Sequence, residues 1–195
     1  MRQISSDRAT WALALLGLAG FGLAWLSTST YGIGLSPDSI HYIHAARSVM
    51  SGDGYQAFGG GPLIGWPPLF PSALAVLGKM GLDPLDGARV LNTAVYGLII
   101  FAAGHLLRFN LRSPWYAVAA AATLLVSLTL VRVSIMAWSE PLFVLLAVLF
   151  VLFLSRFVGE QRLTFFLVAA GCSALAALDR YIGFSLAIAG SGSIL

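Results

Sequence analysis

At 195 residues the chain is 58% hydrophobic and only 10% charged, whereas an ordinary soluble domain carries about 25% charged residues. It lacks the charge to solvate a water-facing surface and belongs in a bilayer. The net charge of +3 comes from ten arginines and one lysine scattered without a basic block, which argues against a nucleic-acid partner. Cys172, the one cysteine, supports neither a disulfide framework nor a cysteine zinc site.

The first apolar run, Trp11 to Leu26, follows Arg2 and Arg8 and has no clear small-x-small cleavage site after it. It reads as an uncleaved signal anchor. Residues 28–88 then form a long loop, and connections of that length are commonly functional. Within it, Pro37 with Ser36 or Asp38 as a cap starts a helix, and Ile40, Ile43, Ala46, Val49 and Met50 recur at helical spacing, so an amphipathic helix is predicted along the membrane surface. Gly59 to Pro62 makes a turn, and Trp66 to Pro71 (WPPLFP) leads into a second short helix, Ser72 to Lys79, ending at Gly81.

Further spans are predicted at Val90 to Leu107, Trp115 to Val131, Pro141 to Phe157 and Leu163 to Leu178, with a sixth beginning near Ile182. A span needs about 20 apolar residues, so five or six exhaust this length and a large transporter does not fit. The predicted fold is a single all-α integral membrane domain over 1–195, with five to six transmembrane helices and two interfacial helices in the first extracytoplasmic loop. The last apolar run stops at Leu195, short of a full span, so a fragment is expected. Alternating the sides places Arg2, Arg8, Arg108, Arg112, Arg156 and Arg162 on one face, predicted cytoplasmic together with the N-terminus. Most acids, including Asp38, Glu140 and Asp179, fall on the other.

Several residues are candidates for chemistry. Asp38 can cap its helix or take a proton from an incoming hydroxyl or amine. His41 and His44 follow at three-residue spacing on the same helical face and could share a divalent metal with Asp38, or pack on headgroups. Arg47 continues that face toward a phosphate or a headgroup. Glu140, before Pro141, is a helix-terminal carboxylate that either caps or binds. Arg132 and Arg180 lie at span ends on the acidic side, where they either line a site or snorkel to the interface. Trp66 and Tyr181 suit an aromatic belt or a sugar platform. Phosphate-loop, His-Glu-x-x-His and Gly-x-Ser-x-Gly signatures do not occur.

Taken in order, Pro37 to Tyr55 (PDSIHYIHAARSVMSGDGY), Trp66 to Pro71, Ala137 to Phe143 (AWSEPLF) and Asp179 to Gly183 (DRYIG) resemble the N-terminal half of a GT-C-type membrane glycosyltransferase. The resemblance is nearest to the bacterial protein mannosyltransferase-like and aminoarabinose-transferase-like group. It implies inverting transfer of a sugar from a polyprenyl-phosphate-linked donor to a lipid, glycan or protein acceptor at the outer face of the cell membrane, often with a divalent metal. It makes Asp38 the general base and Arg47, Arg132 or Arg180 the cation facing the leaving phosphate. His41, His44 and Glu140 become secondary candidates for metal or acceptor contacts. Family members usually have about twice as many spans, so half of a substrate cavity would be missing. The alternatives are a small transporter or channel subunit, which would place charge at the bilayer midplane, and an inactive membrane scaffold.

Overall fold

The computed structural model describes residues 2–192, which fold into helices without a named β-strand. In chain order these are α1 (Arg2–Ser27), α2 (Pro37–Ser51), α3 (Leu69–Lys79), α4 (Pro84–Asn110), α5 (Pro114–Leu125), α6 (Leu128–Ser134), α7 (Glu140–Glu160), α8 (Leu163–Asp179), a 3-10 turn (Tyr181–Gly183) and α9 (Phe184–Gly192). Three segments are long and apolar enough to cross a membrane: Asp7–Ser27 of α1, α4 and α7. A fourth is counted if α5 and α6 form one broken span, while α8 is a shorter apolar helix of 17 residues.

The predicted continuous span from Trp115 to Val131 is instead two helices bent by 60°. Ser127 caps α6 by accepting a hydrogen bond from the Leu130 N–H, and a serine in that conformation ends one helix as it begins the next. The carbonyls released at the end of α5 are not left bare. The buried Tyr96 hydroxyl reaches from α4 to the Leu124 and Leu125 oxygens at 3.2 and 2.9 Å.

α1 and α4 cross where two glycines meet. A Cβ added at Gly97 would lie 2.5 Å from the Gly17 carbonyl oxygen, and one at Gly17 would lie 2.9 Å from the Gly97 oxygen. Close backbone approach of this kind is how helices gain packing contact in lipid, where no hydrophobic force drives them together. Gly97→Ala is therefore expected to force the pair apart and lower the thermal midpoint of the detergent-solubilised chain, a loss of about 1–3 kcal/mol. An unchanged midpoint would mean that this crossing yields freely.

All the elements that matter for the site gather at one end of this helix layer. α1 ends there, held by Arg89 of α4, whose guanidinium donates to the Thr28 hydroxyl (2.9 Å) and the Trp25 carbonyl (3.1 Å) while lying 3.9 Å over the Trp25 ring. The chain after α1 pairs with the chain before α7 through Gly34 N–H to Ile135 O (2.8 Å) and Ala137 N–H to Gly34 O (2.9 Å). Fully buried Asn92 fixes that second segment by donating to the Met136 and Trp138 carbonyls at 2.7 and 2.9 Å.

The two helices expected in the long loop are α2 and α3. They pack on each other and on the start of α4 around Tyr42, Ile43, Phe70, Leu74 and Ala88. Phe70 and Leu74 are wholly buried, each contributing about 1.5–3 kcal/mol by leaving water, and Tyr42 meets Phe70 edge-on at 5.1 Å. This local core makes α2 a fixed platform for the residues it carries.

Candidate functional site

The start of α2 is capped by Ser36, not by Asp38. Ser36 Oγ accepts from the Ser39 N–H (3.4 Å), Ser39 Oγ accepts from the Ser36 N–H (3.1 Å), and Trp138 Nε1 donates to Ser36 Oγ at 2.6 Å. That reciprocal box leaves the Asp38 carboxylate, in the first turn, free of capping duty. Its Oδ1 instead accepts from Trp66 Nε1 at 3.1 Å. The Trp66 ring is clamped from the other side by His41, stacked at 3.9 Å.

A second group comes from the ends of α7 and α8. α8 stops at Asp179, Arg180 is extended, and the 3-10 turn folds back so closely that a Cβ on Gly183 would strike the Ala176 backbone at 2.3 Å. Only glycine fits there, and its fit sets the direction in which Arg180 leaves α8. The Arg180 guanidinium pairs with Glu140 at 2.6 Å and donates to Ser139 Oγ at 3.3 Å. Ser139 Oγ also shares a hydrogen bond with the Tyr42 hydroxyl (3.1 Å), which ties α2 to the beginning of α7. Burial pushes the Tyr42 hydroxyl above its ordinary pKa, with the Ser139 bond and the Arg180 charge opposing that shift. Tyr181 donates to the Ile64 carbonyl at 2.7 Å and so closes the 3-10 turn onto the loop that carries Trp66.

Between these groups lies a cavity of about 350 Å³ lined by Asp38, Tyr42, Trp66, Pro67, Arg180 and Tyr181. Protein-family models, curated proteins and solved structures give no match to this chain. The cavity's chemistry is therefore read from its own residues. It offers one carboxylate held by a neutral donor, one guanidinium partly neutralised by Glu140, and two flat rings. That set can accept a proton on one wall and bear negative charge on another.

Of the residues singled out in the sequence, Asp38, Trp66, Arg180 and Tyr181 line the cavity, and Glu140 joins them through Arg180. Arg47 is not, because it points from α2 to Asp83 at the head of α4, with both nitrogen–oxygen distances 3.0 Å and both side chains about half exposed. The Leu85 N–H and then Arg47 hold Asp83 below the usual carboxylate range. Arg132 is exposed on α6 and does not line the cavity. His41 accepts the Phe58 N–H on Nδ1 at 3.3 Å, and His44 lies edge-on to Phe58 at 5.7 Å. Among the described residues no three His, Cys, Asp or Glu groups converge as metal ligands, so the donor set Asp38, His41 and His44 is not assembled here.

Sequence reasoning did not single out Tyr42 or Ser139, and it placed Asp179 on the acidic face without making it a site candidate. Tyr42 lies on the apolar face of α2, and Ser139 reads as an ordinary residue before a helix. Asp179 carried a legible signal, an acid that ends an apolar run where a helix breaks. It is wholly buried, and neither carboxyl oxygen has a hydrogen-bond partner. The nearby Phe143 N–H is donated to the Ser139 carbonyl at 3.1 Å. Burial raises the Asp179 carboxyl to about 8, with Arg180 pulling it down and Glu140 pushing it up.

Proposed function

We propose that the chain is a membrane glycosyltransferase of the GT-C type, acting at the extracytoplasmic face of the cell membrane with its N-terminus in the cytoplasm. It moves a sugar from a polyprenyl-phosphate donor to a lipid, glycan or protein acceptor. The observation that carries this reading is the cavity in which the Asp38 carboxylate and the Arg180 guanidinium line one space, with Trp66 and Tyr181 beside them.

In the proposed step Asp38 takes the proton of the acceptor hydroxyl or amine as that atom bonds to the anomeric carbon. The bond from that carbon to the phosphate oxygen breaks, and its electron pair leaves with the polyprenyl phosphate. Arg180 faces the charge that develops on the phosphate, where a preplaced cation lowers the barrier most. Attack opposite the leaving group inverts the anomeric centre. Trp66 offers its ring to the sugar while its N–H keeps Asp38 in place. The ionisable groups of the site lie at helix ends and in the loop rather than at mid-helix, which favours an enzyme over a transporter.

The test uses the full chain in proteoliposomes of total membrane lipids, with a hydroxyl-bearing peptide and a free glycan added so that each acceptor class is present, a labelled polyprenyl-phosphate hexose or pentose, and mass spectrometry of the products. Release of free polyprenyl phosphate above that in protein-free vesicles is expected. Inserted, folded protein that releases none from either sugar class would overturn the reading.

A further inference from the structure

The end of the helix layer opposite the candidate site carries a second concave feature. α4 and α7 run side by side there and leave a groove of about 360 Å³. Leu98, Phe101 and Ala102 line one wall and Leu145, Leu149 and Phe153 the other, in each case at the three- and four-residue spacing that forms one helix face. At ~1.5 Å per residue, Leu145 to Arg156 extends about 16 Å, close to half of a hydrocarbon core of about 30 Å. The groove thus has the length of one acyl chain in one leaflet.

Its end is polar and cationic. His105 and Arg156 close it. The Arg156 guanidinium lies 3.9 Å over the Phe109 ring and pairs with Glu160 at 2.5 Å, but Glu160 is also paired with Arg162 at 3.5 Å. One carboxylate therefore serves two guanidiniums. Arg108, bonded to Thr10, and exposed Arg112 add further positive charge at this end of the layer. His105 Nδ1 is buried, has no hydrogen-bond partner, and lies near the charges of Arg108 and Arg156.

We propose that this groove binds an anionic phospholipid of that leaflet, with one acyl chain between α4 and α7 and the phosphate against Arg156 and His105. When the phosphate takes Arg156, Glu160 keeps Arg162 as its partner, so no carboxylate is stranded. An apolar wall alone would take any lipid tail; the surplus charge at its end selects an anionic headgroup. The site is separate from the transfer cavity and does not depend on its chemistry.

The experiment offers the full chain equal amounts of phosphatidylglycerol and phosphatidylcholine in mixed micelles and counts retained lipids by native mass spectrometry. Phosphatidylglycerol is expected to be retained over phosphatidylcholine by about fivefold, the preference that one surface arginine supplies. Arg156→Gln should abolish that preference and Arg156→Lys should keep it. Leu149→Trp should fill the groove and reduce retention of both lipids. Ala102→Leu narrows the same groove from the α4 side and replaces that variant if the tryptophan disturbs folding. Equal retention by the wild type, a preference that survives Arg156→Gln, or a dimer of the chain in place of lipid adducts would each overturn the proposal.

Discussion

Asp38→Asn is expected to lower sugar transfer by roughly 10²–10⁴-fold, the usual contribution of a positioned general base, with no loss of folded protein. The substitution isolates proton acceptance because the local structure asks little else of this side chain. Ser36 and Ser39 cap α2, so the helix start does not depend on residue 38. The Trp66 N–H can donate to an asparagine Oδ1 as it does to the carboxylate oxygen at 3.1 Å, and His41 still stacks on the Trp66 ring. An amide in that position holds the same shape but cannot take a proton. The measurement is the proteoliposome transfer assay, run beside thermal unfolding of the same preparation. Transfer within tenfold of wild type, at an unchanged melting midpoint, would remove Asp38 from the base role.

How much of this was legible in the sequence follows from the range of each interaction. The start of α2 was readable from Ser36, Pro37 and Asp38 because capping acts within a few residues; the geometry assigns the cap to Ser36 with Ser39, and Trp138, over one hundred residues away, adds a donor to Ser36 that no local pattern announces. The side of the layer on which Glu140 and Arg180 fall follows from span alternation. Their pairing does not, since it depends on the turn that Gly183 packs against α8. Tyr42 is a core residue that the apolar spacing of α2 did not single out, and its hydroxyl leaves that core for Ser139. The break between α5 and α6 was hidden because the run from Trp115 to Val131 is interrupted only by Thr123, Ser127 and Thr129, and a lone serine in so apolar a run does not by itself mark a cap. What permits the bend is Tyr96 on another helix, which takes the freed carbonyls. Arg47 and Arg132 illustrate the reverse case, charges on plausible faces that the packing directs elsewhere.

Asp179 gives the largest expected effect on stability, with a sign fixed by its surroundings. Its carboxyl titrates at about 8 in the folded protein against an ordinary 3.8, because burial disfavours the charged form more than Arg180 favours it. Between those two values the unfolded chain has lost the proton and the folded chain keeps it. Stability contributed by this group is therefore fully present below the lower value and falls as pH rises through the window, by several kcal/mol in all, on the order of 5. Asp179→Asn removes the titration and should flatten the difference curve. It is expected to be more stable than wild type at pH 8, and to lose that advantage at pH 5, where it still buries an unpaired amide. Thermal unfolding of both proteins in detergent across that range measures the difference. A gap that does not change with pH would mean that the wild-type carboxylate finds a donor. The same charge bears on the proposed chemistry. With Asp179 neutral, Arg180 is opposed by Glu140 alone, whereas ionised Asp179 adds a second anion beside the guanidinium meant for a phosphate. Donor KM should accordingly rise as pH passes about 8 in wild type and stay level in Asp179→Asn, an effect on binding that a purely structural role for Asp179 would not produce.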